Sequence, residues 1–183
     1  MVDIRNTADA LEAVRTVRQV RQYNEGSVPA DVLEQILEIA RWSGSSRNTQ
    51  PWRFIVIDDK QMLKQLSELR ENITWVADGA LAIAIVLPEE NAVHEAYDAG
   101  RVTERMMIAA RFLGYGAGTA WFGEPEREAK AKELLGVPES MGCQSVVVIG
   151  PYETHKDPRA TGPKPGRKPL EELVSYGTFG ESR

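Results

Sequence analysis

Residues 43–57 read SGSSRNTQPWRFIVI, a polar stretch that runs directly into an apolar one. Residues 43–50 are rich in serine and asparagine, which favour turns, so they predict a loop. Residues 54–57 are apolar and mostly β-branched, so they predict a strand. Upstream, Pro29 and Asp31 suit the first turn of a helix. Apolar residues then recur at helical spacing: Val32, Leu33, Ile36, Leu37 and Ala40. This part of the chain is therefore predicted to be a helix, a polar loop and a strand.

The rest of the chain alternates between helical and extended patterns. Helices are predicted over residues 8–17, 92–113 and 125–135. A further helix is predicted to follow Asp58 or Asp59, either of which could cap it. Strands are predicted over residues 81–87, 116–121 and 145–149. Residues 151–169 contain five prolines and predict an extended arm, followed by one helical turn over residues 169–174. Strands that are well separated by helices predict an α+β sandwich.

Composition limits the class of protein. The 183 residues suit a single domain spanning residues 1–183. The net charge of −5 argues against general nucleic-acid binding. No apolar run approaches the ~20 residues that a membrane-spanning helix needs, so no membrane insertion is expected. Cys143 is the single cysteine and cannot form an internal disulfide, which predicts a cytoplasmic location.

Basic residues nevertheless cluster near both ends of the chain. The two clusters are Arg15, Arg18 and Arg21, and Arg159, Lys164, Arg167 and Lys168. Such clusters either hold a small anion such as a phosphate or form solvated surfaces. Charge alone favours the second interpretation.

Familiar catalytic motifs are missing from the sequence. Residues 114–118, GYGAG, superficially resemble a dinucleotide-binding loop, but a helix is predicted before them and a strand after them, so they predict a tight turn. Two histidines, His94 and His155, and one cysteine make no recognisable zinc site. No nucleophile paired with a base is visible. If the protein is an enzyme, a cofactor therefore carries the chemistry.

Two segments in order carry a family resemblance. Residues 18–23, RQVRQY, precede the helix that starts near Pro29, and residues 45–56, SSRNTQPWRFIV, follow it. This pairing resembles the nitroreductase family of flavin mononucleotide (FMN) enzymes. The similarity continues through Leu113 to Gly116, through residues 121–123, WFG, and to residues 166–170, GRKPL. It covers nearly the whole chain.

The resemblance implies a fold and a function. The fold is a nitroreductase-like three-layer α-β-α sandwich of the α+β class, with a mainly antiparallel central sheet. Residues 151–183 are implied to be an arm that wraps a second subunit, in a homodimer with FMN at the subunit interface. The implied reaction passes hydride from NAD(P)H through the flavin to a small planar acceptor, such as a nitroaromatic or a quinone.

The resemblance also implies which residues bind FMN; no catalytic side chain and no metal are expected. Arginine suits the phosphate because it offers a planar fork of donors. Arg18 and Gln19 are expected at the phosphate or ribityl chain, with Arg21 nearer the flavin ring, where a cation favours the anionic reduced form. Arg167 and Lys168 are expected to close over the phosphate. Ser45, Ser46, Arg47 and Asn48 are expected at the edge of the isoalloxazine ring. The backbone around Phe122 and Gly123 is expected beside flavin N5, where it could donate a hydrogen bond.

Each assignment has a structural alternative. Arg21 then forms a surface salt bridge, the loop from Ser45 to Asn48 satisfies its own polar groups, and Phe122 is plain core. The chain also departs from the family pattern, with Gln19 in place of serine, Gly44 in place of proline and Arg105 in place of asparagine. If Arg47 and Arg105 face the site, they favour an anionic substrate.

Other functions stay open at this stage. One is a flavin enzyme that dehalogenates an aromatic substrate or degrades flavin, although no obvious lid insertion is present. Another is a non-enzymatic flavin-binding module. A third is a structural protein that binds no flavin.

Overall fold

A computed structural model describes residues 7–153 and 167–181 of the chain. The chain divides into two compact units, Met1–Glu153 and Thr154–Arg183. The first unit contains the sheet and the helices. In the second, residues 167–181 are exposed and form a single 3-10 turn, Leu170–Glu172. The idea that residues 1–183 act as one domain with an arm stays a prediction.

Most of the regular structure in the described residues follows the apolar patterns. The helices are α1 (Thr7–Thr16), α2 (Ala30–Arg41), α3 (Lys60–Ser67), α4 (Ala92–Phe112) and α5 (Pro125–Leu135). The strands are β1 (Arg53–Ile57), β2 (Leu81–Val86), β3 (Gly116–Trp121) and β4 (Ser145–Gly150). Two further 3-10 segments are Ser46–Asn48 and Glu71–Asp78.

The four strands form one antiparallel sheet in the order β1-β2-β4-β3. The central strands β2 and β4 are buried almost throughout, since both of their faces are apolar. Ile83 lies opposite Val147 in this register, and its side chain packs on the same face as α2 and α4. Ala84 lies opposite Val146, on the other face, with α3, α5 and Glu71–Asp78. Helices therefore cover both faces, and the expected three-layer α-β-α sandwich is confirmed.

Local side-chain chemistry sets the helix ends. The Asp59 carboxylate accepts a hydrogen bond from the Met62 N–H at the start of α3, as the sequence predicted. Asn91 accepts from the His94 N–H at the start of α4. Gly136 ends α5 at φ 66°, a left-handed conformation that glycine adopts without strain.

Two local features bear on the sequence predictions. Glu71–Asp78 is a 3-10 helix that the apolar pattern did not reveal, and β2 starts only at Leu81. Residues 114–118 follow α4 and enter β3, which confirms a helix-to-strand turn in place of a dinucleotide loop. Within the described ranges, no helix combines the length and the apolarity that crossing a bilayer requires.

Candidate functional site

The segment before α2 lies along the outer edge of β3. The Val20 N–H donates to the Ala117 carbonyl at 2.9 Å. Gln19 pairs with Thr119 as a strand residue would: its Nε2 donates to the Thr119 carbonyl at 2.6 Å, and its Oε1 accepts from the Thr119 N–H at 3.0 Å. A Cβ at Gly118 would lie 2.1 Å from the Val20 carbonyl oxygen. Glycine at position 118 therefore allows the segment to lie directly on the strand.

Tyr23 fixes the far end of this segment. Its hydroxyl lies 3.0 Å from the Val148 carbonyl and 3.1 Å from the Val20 carbonyl. Burial raises the pKa of the Tyr23 phenol above its ordinary value, so the hydroxyl stays protonated and can donate. Both ends of residues 18–23 are thus held against the sheet.

The predicted phosphate-binding residues lie on this anchored segment. Arg18 is half-buried, and its Nη1 donates to the carbonyls of Arg15 and Val17 at 2.8 and 2.6 Å, near the end of α1. Arg21 is exposed. The Gln19 amide bonds both backbone groups of Thr119, so the structure gives Gln19 an anchoring role. Its predicted contact with the phosphate or ribityl chain stays a prediction.

The loop that follows α2 is held in an unusual backbone conformation. Arg47, Asn48 and Gln50 have φ values of 50°, 58° and 49°, which are left-handed. A left-handed conformation costs about 1 kcal/mol for each such residue, and surrounding contacts must offset that cost. The Ser45 hydroxyl accepts from the Gln50 N–H at 2.9 Å, which accounts for one polar group of the loop. The side chains of Arg47 and Asn48 are exposed.

Helix α4 imposes the conformation of this loop. The carboxylate of Asp98, which is 2% exposed, accepts from the Ser46 N–H at 3.2 Å and faces Arg101 at 3.6 Å. Arg105 Nη1 donates to the Trp42 carbonyl at 2.8 Å. The sequence analysis missed Asp98. The spacing of Asp98 could have revealed its burial. It lies four residues before Val102 and eight before Met106, so it falls on the buried apolar stripe of the helix.

Arg105 therefore has a structural partner at the end of α2. The suggestion that it faces a substrate needs a second role for the same guanidinium, beyond its bond to Trp42. Arg47, in contrast, is exposed in the loop, and its predicted role stays open.

Phe122 and Gly123 follow β3 and differ in what they offer. The Phe122 side chain is completely buried, and its N–H donates to the Gln144 carbonyl at 2.9 Å. The Phe122 N–H is thus already bonded and its side chain is core, so the expectation that the backbone around Phe122 and Gly123 donates beside N5 stays a prediction that depends on Gly123. No hydrogen bond in the described part of the chain uses the Gly123 N–H. Gly123 has φ 96°, which requires glycine.

The structure joins some predicted site residues and separates others. Gln19 and Thr119 connect residues 18–21 to β3, which ends at Trp121, two residues before Gly123. The loop residues Ser45–Asn48 are held instead by Asp98 of α4. Lys168, in the second unit, lies 3.9 Å from Glu172 and is exposed, as is Arg167. The closure of Arg167 and Lys168 over a phosphate stays a prediction.

These residues fit an FMN-sized anion in their chemistry. Arg21 and Arg47 offer exposed guanidinium groups, Asn48 offers an exposed amide, and the half-buried Gly123 offers a backbone N–H. These donors suit a phosphate and the polar edge of a flavin. A Cβ at position 123 would lie 3.2 Å from Arg127 Nη1, so glycine keeps this space open for a ligand. No group of three His, Cys, Asp or Glu side chains within residues 7–153 and 167–181 is arranged to hold a metal ion.

Known proteins are similar to this chain in sequence. The nitroreductase family model matches residues 14–85. A protein of Archaeoglobus fulgidus carries the provisional name NADH dehydrogenase/NAD(P)H nitroreductase. It is 33% identical over 156 residues, which cover 81% of this chain and 88% of the relative. A similarly named protein of Methanothermobacter thermautotrophicus is 29% identical over 148 residues, 78% of this chain and 76% of the relative.

Solved structures share the architecture. The FMN-dependent nitroreductase of Clostridium difficile R20291 superposes with a TM-score of 0.78 at 23% identity, over 92% of this chain and 99% of that one. Given also the extent of identity to the Archaeoglobus protein, the chain belongs to the nitroreductase family.

Proposed function

We propose that the protein is an FMN-dependent oxidoreductase that passes hydride from NADH or NADPH to a small planar acceptor, such as a nitroaromatic or a quinone. The observation that carries this proposal is the anchored segment of residues 18–23. It places Arg18 and Arg21 beside β3, which Gly123 follows by two residues, and guanidinium groups there suit the phosphate of FMN. Relatives named as NAD(P)H nitroreductases support the same reaction.

The chain's own residues bind and orient the reactants. Arg18 and Arg21 hold the phosphate and the electron-rich end of the flavin, because guanidinium groups bind oxyanions through charged hydrogen bonds. The Gly123 N–H donates to the reactive edge of the ring. FMN supplies the hydride chemistry, and the protein supplies position and charge. Cys143 is buried and reduced, which supports a cytoplasmic location.

We further propose that the active form is a homodimer with FMN at the subunit interface. Residues 18–23 lie on the outer edge of β3, whereas residues 45–48 follow α2 and are held by Asp98 of α4. A second copy in a symmetric dimer brings the loop of one protomer to the anchored segment of the other. Each site is then complete only in the dimer.

A groove beside the sheet supports assembly. It has a volume of about 1240 Å³ and lies between α2 and the outer edge of β1. Its apolar lining includes Leu33, Leu37, Trp52, Phe54 and Val56. Burial of such surface stabilises association by ~25 cal/mol per Å².

The visible spectrum of the purified protein tests the function directly. A flavin spectrum that NADH or NADPH bleaches without oxygen, and that air restores, is the expected result. A flavin-containing protein that neither nucleotide bleaches would be a binding module. A colourless protein that FMN does not stabilise against heat would contradict the proposal altogether.

Mixed dimers test the shared site. Arg18→Ala and Asn48→Ala should each weaken FMN binding, the former by roughly 1.5–3 kcal/mol for a lost charged hydrogen bond. Refolding the two variants together creates one intact site in each mixed dimer, so about one quarter of the wild-type FMN occupancy should return. If both residues serve the same protomer's site, mixing restores nothing.

A further inference from the structure

Two arginines from different elements converge on Gly123. Arg70 precedes the 3-10 helix Glu71–Asp78, and Arg127 lies in the first turn of α5. Arg127 Nη1 lies 3.2 Å, and Arg70 Nη1 3.5 Å, from the point that a Cβ of residue 123 would occupy. The two Nη1 atoms therefore lie within about 7 Å of each other, and an anion between or beside them would offset the repulsion of the two like charges.

No carboxylate in the described part of the chain neutralises this pair. Neither guanidinium has a carboxylate oxygen within 4.0 Å. Arg70 donates one hydrogen bond, to the Trp121 carbonyl at 3.2 Å, and its guanidinium lies over the Trp121 ring at 5.4 Å. The Arg127 side chain donates no hydrogen bond within residues 7–153 and 167–181. Both arginines are half-buried and keep most of their donors for a ligand.

The backbone around the pair also favours an anion. The N-terminal end of α5 begins two residues after Gly123, and the helix dipole makes this end positive. A side chain at position 123 would meet Arg127, so glycine keeps the space beside the guanidinium open. Trp121 is 52% exposed beside Arg70 and offers a flat apolar surface. Charge, donors and shape together suit an oxyanion attached to a planar group.

We propose that Arg70 and Arg127 bind the diphosphate of the reduced nicotinamide dinucleotide. This rests on the proposed function, which places Gly123 at the reactive edge of the flavin. The nicotinamide ring must reach that edge, and its diphosphate is attached through a single ribose. The donor always carries this oxyanion, whereas nitroaromatic and quinone acceptors need carry none. The pair thus selects the donor and leaves the acceptor unselected.

The test separates phosphate recognition from hydride transfer. Arg70→Gln and Arg127→Gln are prepared as FMN-loaded proteins. Lys130→Gln is the matched control, because it removes one positive charge from an exposed position on α5. Flavin bleaching is followed by anaerobic stopped flow with two donors, NADH and 1-benzyl-1,4-dihydronicotinamide, which carries no phosphate. Binding of NAD⁺, which does not reduce the flavin, is measured by calorimetry.

Each arginine variant should lower the second-order rate constant with NADH by about ten-fold or more, as expected for a lost charged hydrogen bond. It should weaken NAD⁺ binding by a similar factor. The rate with the benzyl donor should stay within about two-fold of wild type, a change too small to reflect a lost charged hydrogen bond. Arg127→Lys should recover part of the loss, since it keeps the charge but not the planar fork. Lys130→Gln should behave as wild type with both donors.

Three results would overturn the inference. Equal losses with both donors would show that the arginines only maintain the site's structure. Unchanged NADH kinetics and NAD⁺ affinity would show that the diphosphate binds elsewhere. Losses confined to reoxidation by a carboxylated acceptor, 4-nitrobenzoate, would assign the pair to the acceptor. A wild-type flavin that neither donor bleaches would instead refute the proposed function, and this inference with it.

Discussion

Gly118→Ala tests the anchoring of residues 18–23 on the sheet. The new methyl group would lie 2.1 Å from the Val20 carbonyl oxygen, whereas real Cβ contacts are never shorter than 3.0 Å. The obstacle is backbone, so no side-chain rotation relieves it. Either the segment moves away from β3 or the strand bends.

The structure gives the size of the effect. Displacement breaks three hydrogen bonds between the segment and β3: the Val20–Ala117 bond and the two Gln19–Thr119 bonds. At about 1 kcal/mol each, the free energy of unfolding falls by about 3 kcal/mol. For a chain of this length, this corresponds to a drop in Tm of roughly 6–12 °C. FMN affinity should fall too, because Arg18 and Arg21 move with the segment.

Thermal unfolding followed by circular dichroism, together with FMN titration, measures both effects. Gly100→Ala is the matched control, because nothing lies within 4 Å of a Cβ at that position of α4. It should raise stability by about 0.5–1 kcal/mol, as alanine does for an exposed helical glycine. A Gly118→Ala protein whose Tm stays within about 1 °C of wild type, far below the shift from three lost hydrogen bonds, would refute the packing of residues 18–23 on β3.

Variants at three further positions test other contacts. Burial raises the pKa of the Cys143 thiol from 9.0 to about 12, so native protein should react slowly with a disulfide reagent at pH 8. Because the unfolded thiol ionises first, wild type should lose more stability than Cys143→Ala as pH rises from 9 towards 12; equal losses would contradict this. Glu95→Gln should cost about 2 kcal/mol in urea unfolding, since its carboxylate accepts the N–H groups of Glu89, Glu90 and Asn91; an unchanged midpoint would disprove this. Asp98→Ala should destabilise by about 2 kcal/mol and weaken FMN binding, whereas Asp98→Asn, which keeps an acceptor for Ser46, should recover most of the affinity; retention of full affinity by Asp98→Ala would mean that α4 does not hold the loop.

Much of the sheet could be predicted because its strands carry their own signal. Residues 81–86, LAIAIV, and 145–150, SVVVIG, are apolar on both faces, and only the centre of a sheet covered on both sides buries such strands. The cap at Asp59 and the glycine after α5 were equally local. The 3-10 helix Glu71–Asp78 was missed, because Ile73 and Val76 alone provide too short an apolar period.

The site was less predictable, because its contacts join distant parts of the chain. The types of residue in the segment 18–23 could be recognised, but the pairing of Gln19 with Thr119 spans one hundred residues. The hold of Asp98 on Ser46 likewise depends on how α4 packs beside the loop. The bond from the Phe122 N–H to Gln144 could not be predicted, because it follows from the path of the chain after β3, which no local pattern encodes.

The outer edge of β1 has a consequence for handling the protein. In the described residues this strand pairs only with β2, so one side of its backbone is left without a neighbouring strand. The segment RFIVI carries a single charge, at Arg53, and Val56 is 37% exposed. A bare edge of this composition is a template for aggregation. Partially denatured protein should therefore aggregate through β1, and Val56→Lys should reduce this aggregation by placing a charge on the edge.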